Sequence, residues 1–261
     1  MEKTIIENNI QSRGYNLASY STPPEEFNWK TKHTKRECDG KIIQFFKDYL
    51  LDQEHQNPVR VLSFPAGDWM WEDRVQYEFD HLNIHFTGVE RDPYVYRKAA
   101  KSASKIKNGQ LFNTDVAQVL NQTKKPWNIA YLDYMGTWSR EKVAHMYALA
   151  QKDLCDVLII TIALCRGRPE TMDSVFNLLR RSNTPKFFET IDNDTRIIIQ
   201  EESMSDAKIR GVPLHIHNIF REFGIFMRLH GGFVYESYPE DNPNRVQGEV
   251  TFCMKKVKNF R

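Results

Sequence analysis

Apolar positions along this chain follow two rhythms. Short runs that are apolar at nearly every position occupy residues 59–64, 84–89, 110–112, 128–132 and 157–164, and each predicts a strand buried on both faces. Between them, apolar residues recur three or four apart. Ile42, Phe45, Phe46, Tyr49 and Leu50 form one stripe, and Val75, Phe79 and Leu82 form another. Those spacings predict helices over about 41–51 and 72–82, and similar patterns predict helices over about 93–105, 116–121 and 140–151. Asp39 stands where it can cap the first of them.

Strands that alternate with helices in this way indicate a parallel sheet assembled from βαβ units. The rhythm then changes. A helix over about 170–181 is followed by segments 187–191 and 196–200, which flank Asp192-Asn193-Asp194 as strands flank a hairpin turn. Residues 214–229 predict a last large helix, and residues 233–238 and 249–257 predict two closing strands. The expected architecture is a doubly wound, mostly parallel α/β sheet of about seven strands with an antiparallel C-terminal strand pair. Residues 1–38, polar and broken by Pro23 and Pro24, are expected to form an N-terminal arm; residues 39–261 form one domain with a small insertion at about 168–212.

Composition narrows the class. A formal net charge of +2 provides no global field that demands a polyanionic partner. The opening MEKTIIENNI has no apolar signal stretch, and the longest apolar run, residues 157–165, is far below the roughly 20 residues a bilayer requires. Cys38, Cys155, Cys165 and Cys253 are scattered without a CxxC pair, as reduced structural thiols are in an intracellular protein. These readings predict a soluble cytoplasmic chain. His215 and His217 lack a nearby Cys, Asp or Glu that would complete a metal set, so no metal site is expected. Ser139 has no G-x-S-x-G context and is not a hydrolase nucleophile.

In an open α/β sheet, ligands bind beyond the carboxyl ends of the strands, so the residues after each strand carry the chemistry. The first strand is followed by VLSFPAGDW, the second by FTGVERDP, the third by FNTDV and the fourth by IAYLDYMG. A carboxylate such as Glu90 at the end of a second strand can accept both hydroxyl protons of a ribose; as alternatives it caps the next helix or pairs with Arg91. Asp115 can serve as a helix N-cap, contact a ligand, or do both.

Taken in order, these four loops resemble the class I S-adenosylmethionine-dependent methyltransferases. Gly67 stands at the family's central loop glycine, while Pro65 and Trp69 take the outer glycine positions and Ser63 takes the place of the usual acid. The resemblance implies a donor site for S-adenosylmethionine built from Phe64, Pro65, Ala66 and Gly67, from Glu90 and Arg91, and from Asp115 and Val116. In it Gly67 and neighbouring backbone hold the methionine part, Glu90 the ribose and Asp115 the adenine. Asp133-Tyr134-Met135-Gly136 resembles the family's catalytic motif, which implies Asp133 as the group that orients or deprotonates the acceptor and Tyr134 as a stacking partner for a flat base. Lys41, Asp133 and Glu249 also lie in regions resembling those of ribose 2′-O-methyltransferases, although that family's second lysine has no match and Arg166 is the nearest basic residue.

Charge separates this reading from a dinucleotide enzyme. A pyrophosphate needs a G-x-G-x-x-G turn at a helix N-terminus, and here Asp68, Glu72 and Asp73 crowd that position instead. Two basic clusters, the first with interleaved aromatic residues, suit either a solvated surface or the phosphates and bases of a nucleic acid, and a nucleic-acid acceptor is expected. Lys30, Lys32, Lys35 and Arg36 accompany Trp29, and Arg97, Lys98, Lys101, Lys105 and Lys107 share part of a helix face. The alternative is a protein of this fold that binds ligand without catalysis, which the departures in the glycine loop and in the Asp-Tyr-Met-Gly motif support; the insertion is expected to shape the acceptor site.

Overall fold

The computed structural model describes residues 35–51, 58–134, 136–164, 204–237 and 247–257. In chain order the elements are α1 (Lys35–Leu51), β1 (Val59–Ser63), α2 (Met70–Glu78), β2 (Ile84–Val89), α3 (Pro93–Ser102), β3 (Gly109–Phe112), α4 (Val116–Gln122), β4 (Trp127–Asp133), α5 (Arg140–Gln151), β5 (Cys155–Ala163), α6 (Met204–Glu222), β6 (Met227–Ser237) and β7 (Gln247–Lys256). A 3-10 turn, Ala103–Lys105, extends α3.

The seven strands form one sheet in the order β3-β2-β1-β4-β5-β7-β6. Strands β1 to β5 pair in parallel, and β7 runs antiparallel to both neighbours, β5 and β6. This is the architecture predicted from the sequence, a mostly parallel α/β sheet with an antiparallel C-terminal strand pair. The chain reverses direction in the sheet beside β1, where β1 pairs with β2 on one side and β4 on the other, so the crevice for a ligand opens at the carboxyl ends of these three strands.

Alternation along the strands fills two separate cores. Ala130 and Leu132 of β4, with Leu158, Ile160 and Ile162 of β5, pack against α4, α5 and α6. Ile129 and Tyr131, with Val157 and Ile159, pack on the opposite face against α1 and α2. Burying both faces is what the uninterrupted apolar runs demanded. Cys155 and Cys253 are free thiols in these cores, and burial pushes both well above the usual thiol range.

Three boundaries differ from the sequence reading. Helix α1 begins at Lys35, so Asp39 lies inside it and does not cap it. The Lys-Arg-Glu stretch ahead of Asp39 has good helix formers and no proline to stop the helix sooner. The predicted helix over 214–229 divides at Gly224. Helix α6 starts earlier, at Met204, runs through Pro213, and ends where Gly224 takes φ +74°. There Gly224 donates to the Arg221 carbonyl at 3.0 Å and Ile225 to the Phe220 carbonyl at 3.1 Å, the paired bonds of a Schellman stop. Beyond it, Met227 and Leu229 join β6. Helix α6 thus occupies the last part of the region expected as an insertion, and the predicted helix over 170–181 and hairpin 187–200 lie outside the described residues. Among the described residues, no helix is long and apolar enough to cross a membrane.

Candidate active site

The carboxyl ends of β1, β2, β3 and β4 meet around one open cleft. Phe64 follows β1, Glu90 and Arg91 follow β2, Asp115 and Val116 follow β3, and Asp133 and Tyr134 end β4; all of them line the cleft. Glu141, Lys142 and His145 of α5 close its other wall. The sequence had not singled out those three, although their spacing on a helix that follows the fourth strand is a legible signal.

Glu90 leaves β2 half-buried, and its Oε1 accepts a hydrogen bond from the Asp92 amide at 2.8 Å. It is not the helix cap: Asp92 performs that task by accepting from the amides of Tyr94 at 2.7 Å and Val95 at 3.1 Å. Nor does it pair with Arg91, whose guanidinium lies 2.9 Å from Glu141 and 3.9 Å from Asp115. Asp115 caps α4 by accepting from the Ala117 amide at 2.8 Å while its side chain still lines the cleft.

Asp133 and Tyr134 are adjacent in sequence, and the pleat turns them toward opposite layers. Asp133 continues the row of Tyr131, on the side of α1 and α2, and its charge contributes to raising the pKa values of Glu72 and Tyr235 there, after burial. Tyr134 packs with the other core. Its hydroxyl is 2.8 Å from His145 Nδ1, its ring meets Phe64 edge-on at 5.4 Å, and the Lys142 ammonium lies 5.3 Å from its ring centre. Tyr134 is therefore engaged by α5 on several sides. Burial lowers the pKa of His145 and keeps the imidazole neutral, with the Asp115 carboxylate opposing that shift from 3.7 Å.

The loop after β1 is built by Trp69. This residue takes a left-handed conformation, φ 59°, and its ring is fully buried. The backbone cost is about 1–3 kcal/mol. Burying 150–250 Å² of indole returns roughly 4–6 kcal/mol at about 25 cal/mol per Å², so burial wins. The indole N–H donates to the Ala99 carbonyl at 2.9 Å, and the ring lies over Gly88, where an added Cβ would sit 2.5 Å from it. Pro65, Ala66 and Gly67 are not among the residues lining the cleft; Gly67 packs against the Lys98 stem. At the start of α2, Asp68 accepts from the Met70 amide at 3.3 Å, and Glu72 and Asp73 follow in the first turn. A pyrophosphate would meet the Asp68 and Asp73 carboxylates where it needs free amides.

Other expectations resolve locally. His217 Nδ1 lies 2.7 Å from the Met227 carbonyl, and His215 receives the Trp138 indole N–H at 3.3 Å, so both imidazoles are structural. Ser139 caps α5. Among the described residues, Asp115, Glu141 and His145 bring ligand atoms within 4.8 Å of one another, a grouping the sequence reading did not foresee. The Arg91 guanidinium already supplies the positive charge between the two carboxylates. Lys41 lies over Phe233 at 5.5 Å, and Phe233 stands three strands across the sheet from Asp133 through Thr251 and Thr161.

No family model matches the sequence, and no curated protein matches it either. Solved structures with a similar fold include a methyltransferase from Agrobacterium tumefaciens that depends on S-adenosylmethionine, at 10% identity and TM-score 0.45, covering 84% of this chain and 62% of that one. The present chain therefore spans less than two thirds of that enzyme. Precorrin-6y C5,15-methyltransferase from Geobacter metallireducens is 11% identical at TM-score 0.47, with 90% and 95% of the two chains covered. The 23S rRNA methyltransferase ErmE is 11% identical at TM-score 0.45, with 88% and 71% covered.

Proposed function

We propose that this chain transfers a methyl group from S-adenosylmethionine to a nucleic-acid acceptor. The observation that carries the reading is the cleft at the sheet's switch point, where the ends of β2, β3 and β4 present Glu90, Asp115 and Asp133 together. Its charges suit a donor with a sulfonium and an ammonium and no phosphate. Bound there, S-adenosylmethionine supplies an electrophilic methyl group. Glu90 would accept from the ribose hydroxyls through the oxygen that Asp92 does not occupy, and Phe64, Val89 and Val116 would cover the adenine face. Asp115 would reach the adenine amine while capping α4. Arg91, held by Glu141, shapes the wall.

Asp133 would accept a hydrogen bond or proton from the acceptor. A ribose hydroxyl would need a lysine beside it, and the place of Lys41 over Phe233, three strands away, favours a base as the acceptor. Tyr134, its hydroxyl 2.8 Å from His145, would stand beside the acceptor as a stacking partner for a flat base.

A second reading is a binding protein that keeps the fold and lacks catalysis. The absence of Pro65, Ala66 and Gly67 from the cleft lining favours it. Transfer of labelled methyl groups from S-adenosylmethionine to RNA and DNA, together with calorimetry of donor binding, separates the two. A group used mainly in the transition state affects turnover far more than donor affinity. Asp133→Ala is therefore expected to lose about a hundredfold or more in rate, with donor affinity little changed. Donor binding without transfer to any acceptor by the wild type would establish the second reading, and an active Asp133→Ala would remove Asp133 from the chemistry.

A further inference from the structure

Between Pro93 and Lys107 the chain carries five cations, Arg97, Lys98, Lys101, Lys105 and Lys107, and no acid. The chain as a whole is only +2, so everything else is net acidic and this segment is a local positive island. All five side chains are exposed. Among the described residues, Lys98, Lys101 and Lys105 form no ion pair, and Arg97 donates only to the Pro93 carbonyl at the start of its own helix. A solvated helix face that served solubility alone would ordinarily mix signs, as α2 does with Arg74 and Glu78 at 3.0 Å.

Two further observations give this face a direction and a chemistry. Tyr94, one turn ahead of Lys98, is 61% exposed, and the Lys98 ammonium lies 4.5 Å from its ring centre. Residues 94, 98, 101 and 105 repeat at helical spacing, which sets the ring and three ammonium groups in one stripe. The stripe is fixed to the cleft. Helix α3 starts just after Glu90 and Arg91, its Ala99 carbonyl receives the buried Trp69 indole, and the Lys98 stem lies against Gly67 of the β1 loop.

We infer that this face of α3 binds a single-stranded nucleic acid, with Lys98, Lys101 and Lys105 on successive phosphates and Tyr94 under an unstacked base. An exposed aromatic ring beside unpaired cations is the arrangement that holds single strands, because every base has a face to stack and every nucleotide a phosphate. A membrane surface fits less well, since Tyr94 is the one large exposed apolar side chain of the helix. The inference rests on the proposed nucleic-acid acceptor and names the surface that would hold it. It is read by binding alone, so oligonucleotide binding without methyl transfer would retire the proposed reaction and leave this surface standing.

The test is fluorescence anisotropy of the full chain with a labelled 20-nucleotide oligouridine, the DNA strand of the same sequence, and a duplex, over a range of salt concentrations. The variant Lys98→Ala/Lys101→Ala/Lys105→Ala should flatten the salt dependence of single-strand binding by about 2 in log–log slope, since each phosphate contact on a single strand contributes about 0.7. Tyr94→Ala should weaken single-strand binding about tenfold, the scale of one stacked base, and leave the salt slope unchanged. Calorimetry of S-adenosylmethionine and the melting temperature should match the wild type in both variants. Wild-type protein that binds no oligonucleotide, a triple variant with the wild-type slope, tighter binding of the duplex, or binding only to phosphatidylserine vesicles would each overturn the assignment.

Discussion

Glu90 shows how much a single side chain's surroundings add to its identity. As a letter in the sequence it allows a helix cap, an ion pair or a ribose acceptor. The fold removes the first by giving the cap to Asp92, and the second by drawing Arg91 to Glu141. What is left is a carboxylate on the cleft wall with one oxygen fixed by the Asp92 amide, a pre-set acceptor for hydroxyl groups. Glu90→Ala is expected to weaken S-adenosylmethionine binding by about 1.5–3 kcal/mol, the scale of a hydrogen bond to a charged group. Calorimetry of the two proteins measures it. Equal affinity with an unchanged melting temperature would return Glu90 to a role at the helix start.

At the scale of elements, the β1–α2 loop replaces flexible glycine with a packed indole. Trp69 stands where the methyltransferase resemblance implies a glycine, and the structure supplies the compensation, because Gly88 on β2 has no side chain and leaves room for the ring. The glycine that matters for packing is thus on the second strand. Gly88→Ala would put a methyl group 2.5 Å from the Trp69 ring, and Pro65 Cγ lies 3.1 Å away on the same site. The substitution is expected to destabilise the fold by about 1–3 kcal/mol, the range for overpacking, as measured by urea unfolding. A pairing of Gly88→Ala with Trp69→Phe, which shortens the ring, should recover part of that loss; strict additivity of the two would show that the contact is not the cause. Helix α6 makes the complementary point. Its end was legible in principle from Gly224, yet apolar spacing carried the predicted helix across that glycine into β6.

Over the whole molecule, the sheet's carboxyl edge on the α1–α2 side holds the buried carboxyl of Glu72, with Asp68 and Asp133 nearby. Glu72 is 2% exposed, and burial pushes its carboxyl up to about 7, with the charges of Asp68 and Asp133 adding to the effect. A carboxyl whose pKa is raised on folding holds its proton more tightly in the native state. Its ionisation therefore costs nothing below the ordinary value of 4.5, costs progressively more as pH rises toward 7, and levels off above it. Glu72→Gln, which keeps the neutral shape, should match the wild type near pH 4 and exceed its stability by on the order of 3 kcal/mol at pH 8. Urea unfolding across that range reads the difference. A variant equally stable at both ends would mean that Glu72 gains a compensating partner when charged.

The layers follow from patterns local to the chain. Apolar runs without alternation can only be strands covered on both faces, and their interleaving with 3.6-residue stripes requires a parallel α/β sheet, so β1 to β5 and the helices between them were readable within a few residues. The same patterns also show which loops carry carboxylates, because strand ends in such a sheet share one edge. How those residues are used depends on the long-range packing of the fold. It turned Asp133 and Tyr134 to opposite faces, gave Tyr134 to His145, placed Arg91 between Glu141 and Asp115, and buried Trp69 against Ala99. The reason is range. Periodicity and capping are set by neighbours a few residues away, whereas His145 meets Tyr134 and Trp69 meets Ala99 only after strands distant in the chain have been paired in register.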